Sequence, residues 1–177
     1  LIRTNLKYFF PNDNTSKCII ITSYMSGEGK SFTSINLSAS MAAADYRVLL
    51  IELDLRKPRL SQYLNATVES GVSDFVVNNM AVQQIINKDD KLKFDFITSG
   101  PIPPNPAEML LNPRLTELMV YAKANYDYVI IDTPPLGMVA DAYLLNSFAE
   151  LSIFILRYKY SLKTTIGFVD KLNKEKK

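Results

Sequence analysis

The chain has 177 residues, with 20 Lys plus Arg against 18 Asp plus Glu, one cysteine and no histidine. That length suffices for one domain with a full core, and a net charge of +2 spread along the chain offers no nucleic-acid surface. The absence of histidine excludes His-based triads and His metal sites, the single cysteine excludes an internal disulfide and fits a reducing compartment, and no apolar run approaches the ~20 residues that span a bilayer.

Leu1 to Phe10 places Ile2, Leu6, Phe9 and Phe10 at helical spacing. It predicts a short amphipathic helix, packed on the domain by its apolar face and closed by Pro11 and the polar loop to Ser16. No signal-peptide pattern is present at Leu1. A start without Met and an end at Glu175-Lys-Lys177 read as a single domain, 1–177, taken from a longer chain.

Cys18 to Thr22 is an apolar strand, with Cys18 as a small core residue. The following turn holds Gly27 and Gly29, and Lys30-Ser31 opens a helix. Strand, Gly turn, Lys-Ser, helix is the phosphate-loop arrangement. Glycines let backbone N–H groups crowd an anion, and the helix N-terminus adds unpaired donors and partial positive charge. Ser26, Gly27, Glu28, Gly29, Lys30, Ser31 and Phe32 are the predicted nucleotide-binding residues. Tyr24 stands where the usual spelling has its first Gly.

The helix runs from Lys30 to Ala44, with Phe32, Ile35, Ala39 and Ala42 as its predicted packing face. Arg47 to Leu53 is a second apolar strand, so the unit is a right-handed parallel crossover. A basic loop, Leu55 to Leu60, follows, and Gly71 to Val77 starts another helix. Asn78 to Lys93 is irregular, with a short helix near Val82 to Ile86. Phe94 to Thr98 alternates as a strand, Gly100 to Pro106 is a rigid Pro-rich surface loop, and Pro113 to Asn125 is helical through Leu115, Leu118, Met119 and Ala122. Tyr128 to Ile131 is a buried strand ending in Asp132. A helix over Asp141 to Phe148, a strand over Leu151 to Leu156 and a helix over Leu162 to Lys174 complete the chain. Strands alternating with helices predict an α/β fold, a three-layer P-loop NTPase-like domain around a mostly parallel sheet.

Glu52, Asp54 and Asp132 stand at C-terminal strand ends, which is the ligand edge of an open parallel sheet. Lys30, Ser31, Asp54 and Asp132 are therefore expected to converge. Lys30 would reach the β- and γ-phosphates of ATP, with Ser31, Asp54 and Asp132 as Mg²⁺ ligands. A helix-capping role for Asp132 and a salted-loop role for Asp54 are the plainer alternatives. A dinucleotide-binding oxidoreductase is disfavoured because Phe32 fills the third glycine's place, where close packing needs a small residue.

Ser26-Gly-Glu-Gly-Lys-Ser31, Leu49-Leu-Ile-Glu-Leu-Asp-Leu-Arg-Lys-Pro58 and Val129-Ile-Ile-Asp-Thr-Pro-Pro135 resemble the Walker A, A′ and B segments of the bacterial tyrosine kinases. Gly100 to Leu111 resembles the Pro-Pro-Asn-Pro loop of that family, and Arg3-Thr-Asn-Leu6 the end of its N-terminal helix. Partition-type ATPases share the three Walker segments but carry an extra lysine where this chain has Met25. The resemblance implies a protein-tyrosine autokinase that binds ATP or ADP with Mg²⁺ and regulates capsule or exopolysaccharide production. It implies a ring-like homo-oligomer acting in trans, at the cytoplasmic face of the bacterial inner membrane, with a polysaccharide co-polymerase segment as partner. Lys30, Asp54, Asp132, Glu52 and Arg56 become the implied catalytic residues. Asp54 is the first choice for metal binding and general base, Glu52 the second, and Arg56 belongs to the acceptor or metal region. The family usually has Asp where Glu52 stands and Pro where Ser26 stands. Its C-terminal tyrosine cluster has no counterpart here, Tyr158 and Tyr160 not matching it. A nucleotide-binding scaffold of the export machinery, without phosphoryl transfer or with ATPase activity only, is the alternative.

Overall fold

Runs of β-branched and aliphatic residues form the strands, and their flanking Gly, Asp and Asn residues end them. The computed structural model describes residues 2–6, 8–10, 15–67, 69–88, 90–137 and 145–175. Its elements in chain order are α1 (Ile2–Leu6), β1 (Lys17–Ser23), α2 (Lys30–Ala42), β2 (Val48–Glu52), α3 (Leu60–Leu64), α4 (Val72–Val77), α5 (Val82–Ile85), β3 (Asp95–Ile97), α6 (Pro106–Leu110), α7 (Pro113–Asn125), β4 (Tyr128–Asp132), β5 (Leu151–Ile155) and α8 (Thr164–Glu175).

The five strands form one parallel sheet in the order β3-β2-β4-β1-β5. Successive side chains of a strand point to opposite faces, and the core divides accordingly. Cys18, Ile20, Leu49 and Ile51 pack with α7 through Leu115, Leu118, Met119 and Ala122, and with Phe75 of α4. Ile19, Ile21 and Leu50 pack on the other face with Leu37 and Met41 of α2 and Leu6 of α1. Each fully buried aliphatic side chain of this kind contributes about 1.5–3 kcal/mol. The three-layer expectation holds. α1 is further fixed by Arg3, whose guanidinium donates to Ser40 O at 2.8 Å.

Three local expectations are corrected. The buried face of α2 is Lys30, Ser34, Leu37, Ser38, Met41 and Ala42, while Phe32 and Ala39 are exposed. Ser34 and Ser38 can be buried because their hydroxyls donate to Lys30 O and Ser34 O at 3.0 and 2.8 Å, so these small hydroxyl residues share the sheet side with Leu37, Met41 and Ala42. The Pro-rich loop is shorter than expected, because Pro106 opens α6 at a position where its missing N–H costs nothing. Finally, residues 145–148 form a 3₁₀ turn; the rest of the helix expected over 141–148 lies outside the described residues.

Candidate functional site

Because every strand is parallel, β1, β2 and β4 deliver their C-terminal residues to one edge. The register puts Asp132 level with Ile21 of β1 on one side and Glu52 of β2 on the other. The phosphate loop therefore leaves the sheet directly beside Asp132.

The loop is held in shape by its own groups. Ser23 Oγ donates to Met25 O at 2.7 Å, and Met25 N donates to the Glu28 carboxylate at 2.7 Å. Gly27 and Gly29 have φ of 84° and 102°, a left-handed backbone that side chains disfavour. Among the described residues, the N–H groups of residues 26–29 donate to no protein acceptor. Consecutive free N–H groups next to the N-terminus of the 13-residue α2 suit an anion.

A cavity of about 470 Å³ opens over this loop. Its lining includes all seven residues from Ser26 to Phe32, together with Asp54, Lys57, Arg59, Tyr63 and Arg157. Of the sequence-predicted residues, the seven loop residues and Asp54 thus meet in one place. Asp132 lies beneath them, fully buried. Among the described residues, neither of its carboxylate oxygens has a hydrogen-bond partner. Burial pushes its carboxyl up to about 7, and the negative charges of Glu52 and Asp54 add to this; the Ser31 hydroxyl and the Lys30 ammonium oppose it. Ser31 is near enough to favour the charged form but lies outside hydrogen-bond geometry. A buried carboxylate with both oxygens unpartnered, flanked by a hydroxyl, is a donor set suited to a hard cation. Among the described residues no three acidic, His or Cys side chains form a metal cage; Mg²⁺ takes one or two carboxylates and completes its shell with water and phosphate.

Asp54 is half-buried at the cavity wall. Burial raises its carboxyl, offset by the N–H groups of Lys57 and Arg56 and by the Lys30 and Lys57 charges. Lys57 N donates to Asp54 Oδ1 at 3.1 Å.

Glu52 is placed differently from its expected role. Its carboxylate accepts from Arg59 N at 2.6 Å, Leu60 N at 2.8 Å and Ser99 N at 3.1 Å. It is buried and is not part of the cavity lining. Arg56 is exposed and likewise absent from the lining, which its neighbours Lys57 and Arg59 join instead. Lys57, Arg59, Tyr63 and Arg157 were not anticipated from sequence. The strand-end rule that selected Asp54 and Asp132 also reaches Arg157, two residues past β5.

A family model described as an AAA domain matches residues 16–177. The kinase domain of the tyrosine kinase ETK from Escherichia coli superposes with a TM-score of 0.91 at 30% identity, covering 98% of this chain and 68% of that one. This chain belongs to the bacterial tyrosine-kinase family. The tyrosine-protein kinase YwqD of Bacillus subtilis is 41% identical over 157 residues, 88% of this chain and 65% of that protein. The putative tyrosine-protein kinase EpsB of Ralstonia solanacearum is 38% identical over 166 residues, 94% of this chain and 22% of that protein. The chain thus spans about a fifth of the length of this last relative. For a bacterial tyrosine-kinase domain, the carboxylate turned away at Glu52 leaves Asp54, among the described residues, as the one acidic group on the cavity wall besides Glu28, and the latter is tied to Met25 N.

Proposed function

We propose that this chain is an ATP-dependent protein-tyrosine kinase domain that phosphorylates tyrosines of a neighbouring copy and regulates capsular or exopolysaccharide synthesis. The observation that carries the reading is the convergence of Lys30, Ser31, Asp54 and the unpartnered Asp132 carboxylate at one sheet edge.

The free N–H groups of residues 26–29 cradle the β- and γ-phosphates. Lys30, the first residue of α2 and largely buried, places its ammonium against the charge that develops as the γ-phosphoryl group transfers. Ser31, Asp54 and Asp132 are the residues that would hold Mg²⁺, which when bound neutralises phosphate charge. A tyrosine hydroxyl has a free pKa near 10 and enters protonated. Asp54 accepts its proton as the phenolic oxygen bonds to the γ-phosphorus and the bond to the β–γ bridging oxygen breaks, releasing ADP. In the ligand-free domain burial raises the Asp54 carboxyl, the direction that favours proton acceptance. Glu52 acts on the loop rather than the substrate, by anchoring Arg59, Leu60 and Ser99.

The same reading places the domain at the cytoplasmic face of the inner membrane, in a ring-like homo-oligomer with a polysaccharide co-polymerase segment. Among the described residues, no helix is long and apolar enough to cross a membrane, so an anchor would come from a partner or another segment. The test supplies MgATP and a tyrosine-rich peptide and reads phosphotyrosine. Formation of phosphotyrosine that Lys30→Met abolishes is the expected result. MgADP binding without any transfer, in a chain carrying the family's N-terminal helix and tyrosine tail, would favour the scaffold reading.

A further inference from the structure

The phosphate loop is gripped from outside by the turn that joins β5 to α8. Tyr160 Oη donates to Ser26 O at 3.0 Å, and Arg157 Nη1 donates to Gly27 O at 3.0 Å. Ser161 Oγ donates to Glu28 Oε1 and accepts from Arg157 N at 2.7 Å. The Arg157 guanidinium also lies 5.1 Å from the Tyr160 ring centroid, a cation–π distance. Seven residues further on, the ring of Phe168 on α8 meets Tyr24 edge-on at 5.0 Å. Four loop residues, Tyr24, Ser26, Gly27 and Glu28, are thus held by one segment more than 120 residues away in sequence.

The contacts share a polarity. The segment takes the carbonyl oxygens of Ser26 and Gly27 and the carboxylate of Glu28, and it takes none of the loop's N–H groups. Binding the Ser26 and Gly27 carbonyls fixes the two peptide planes they belong to, and so fixes where the free N–H groups of Gly27 and Glu28 point. The approach is close: a Cβ on Gly27 would sit 2.8 Å from Tyr160 Oη. Gly27 is therefore required twice, by its φ of 84° and by the hydroxyl that occupies the side-chain position. Tyr24 likewise stops being a mere loss of the usual glycine, because its ring is the anchor for α8.

We propose that the β5–α8 turn is a clamp for the phosphate loop, with Tyr160 and Ser161 as positioning residues that hold the loop's N–H groups ready for the phosphates of a nucleotide. This rests on the nucleotide reading of the cavity. The clamp makes nucleotide affinity depend on a segment whose backbone lies outside the loop, so displacement of α8 alters nucleotide binding without any change in residues 24–31.

The experiment titrates the whole chain with MgADP and, separately, with magnesium pyrophosphate, and records thermal melts without ligand. Loss of a hydrogen bond that orients the loop is expected to weaken binding about 3- to 10-fold. Tyr160→Phe and Ser161→Ala should therefore each weaken MgADP and pyrophosphate in parallel, and Ser161→Ala, which leaves the buried Glu28 carboxylate one donor short, should also lower the ligand-free melting temperature slightly; Ser161→Thr should restore affinity. Unchanged affinities in both variants overturn the clamp. So does a loss confined to MgADP, which would make Tyr160 a contact to the adenosine portion, or a fall in melting temperature with unaltered affinity, which would make the turn a purely structural tie. Failure of the unmodified chain to bind either ligand would instead refute the nucleotide reading, and the clamp with it.

Discussion

The Glu52 carboxylate accepts the Ser99 N–H at 3.1 Å, joining the end of β2 to the segment that leaves β3. Its other oxygen holds the first N–H groups of the α3 turn. Of these donors, the Leu60 and Ser99 amides are buried, and a buried N–H left unsatisfied costs about 1–3 kcal/mol. Glu52→Ala should accordingly destabilise the chain by about 2–6 kcal/mol, read by urea unfolding. Glu52→Asp, shorter by one methylene, cannot serve both sides of the gap, so it should lower both the melting temperature and turnover. A faster Glu52→Asp enzyme would show that Glu52 obstructs catalysis rather than supporting the loop.

Asp132 gives a pH signature. Its carboxyl is raised to about 7 in the fold from about 3.9 in an unfolded chain. The folded state therefore holds a proton that the unfolded state has released between those values. Stability from this group is complete below about pH 4 and is lost as pH rises through about 7. The ligand-free chain should melt lower at pH 8 than at pH 5, a difference that Asp132→Asn removes while raising the melting temperature at pH 8. The same substitution should abolish phosphotyrosine formation. A wild-type melting temperature indifferent to pH across this range would contradict the burial of an unpartnered carboxyl.

Lys30 and Asp54 should fail in different ways. Lys30→Met removes a cation from the anion cradle and is expected to abolish detectable MgADP binding, measured by titration calorimetry. Asp54→Asn removes the proton acceptor and is expected to retain MgADP binding within about tenfold while turnover falls by about 10²–10⁴. Equal loss of binding in both would make Asp54 chiefly a metal ligand.

The sheet and the phosphate loop were legible because their signals are local. Apolar runs such as Tyr128 to Ile131 form strands, and Gly27-x-Gly29-Lys30-Ser31 after a strand has few other uses. α3 was not legible, because its five residues are started by Glu52, whose side chain arrives from another strand. The face of α2 was misread because Ser34 and Ser38 satisfy their own hydroxyls and become acceptable in the core. Tyr160 and Ser161 were invisible as site residues for a related reason. Their partners, Ser26 and Glu28, are 134 and 133 residues away, and no spacing rule spans that distance.

Cys18 offers a check on the core that does not involve the nucleotide. It is fully buried, and burial pushes its thiol up to about 12. Thiolate, not thiol, is the nucleophile, so iodoacetamide at pH 8 should leave native Cys18 unlabelled and modify it only in denaturant. Rapid native labelling would mean that β1 is not covered by α7 as described.

β1 lies inside the sheet, paired with β4 on one side and β5 on the other, and it carries the phosphate loop from its end. Any motion that strips β1 of its neighbours dismantles the middle of the protein. The amides of Ile19, Ile20 and Ile21 should consequently exchange with solvent deuterium only through global unfolding, while the free amides of residues 26–29 exchange without any unfolding. The rigid mount and the adaptable cradle are one continuous piece of backbone, so the boundary between slow and fast exchange should fall within a few residues of Ser23.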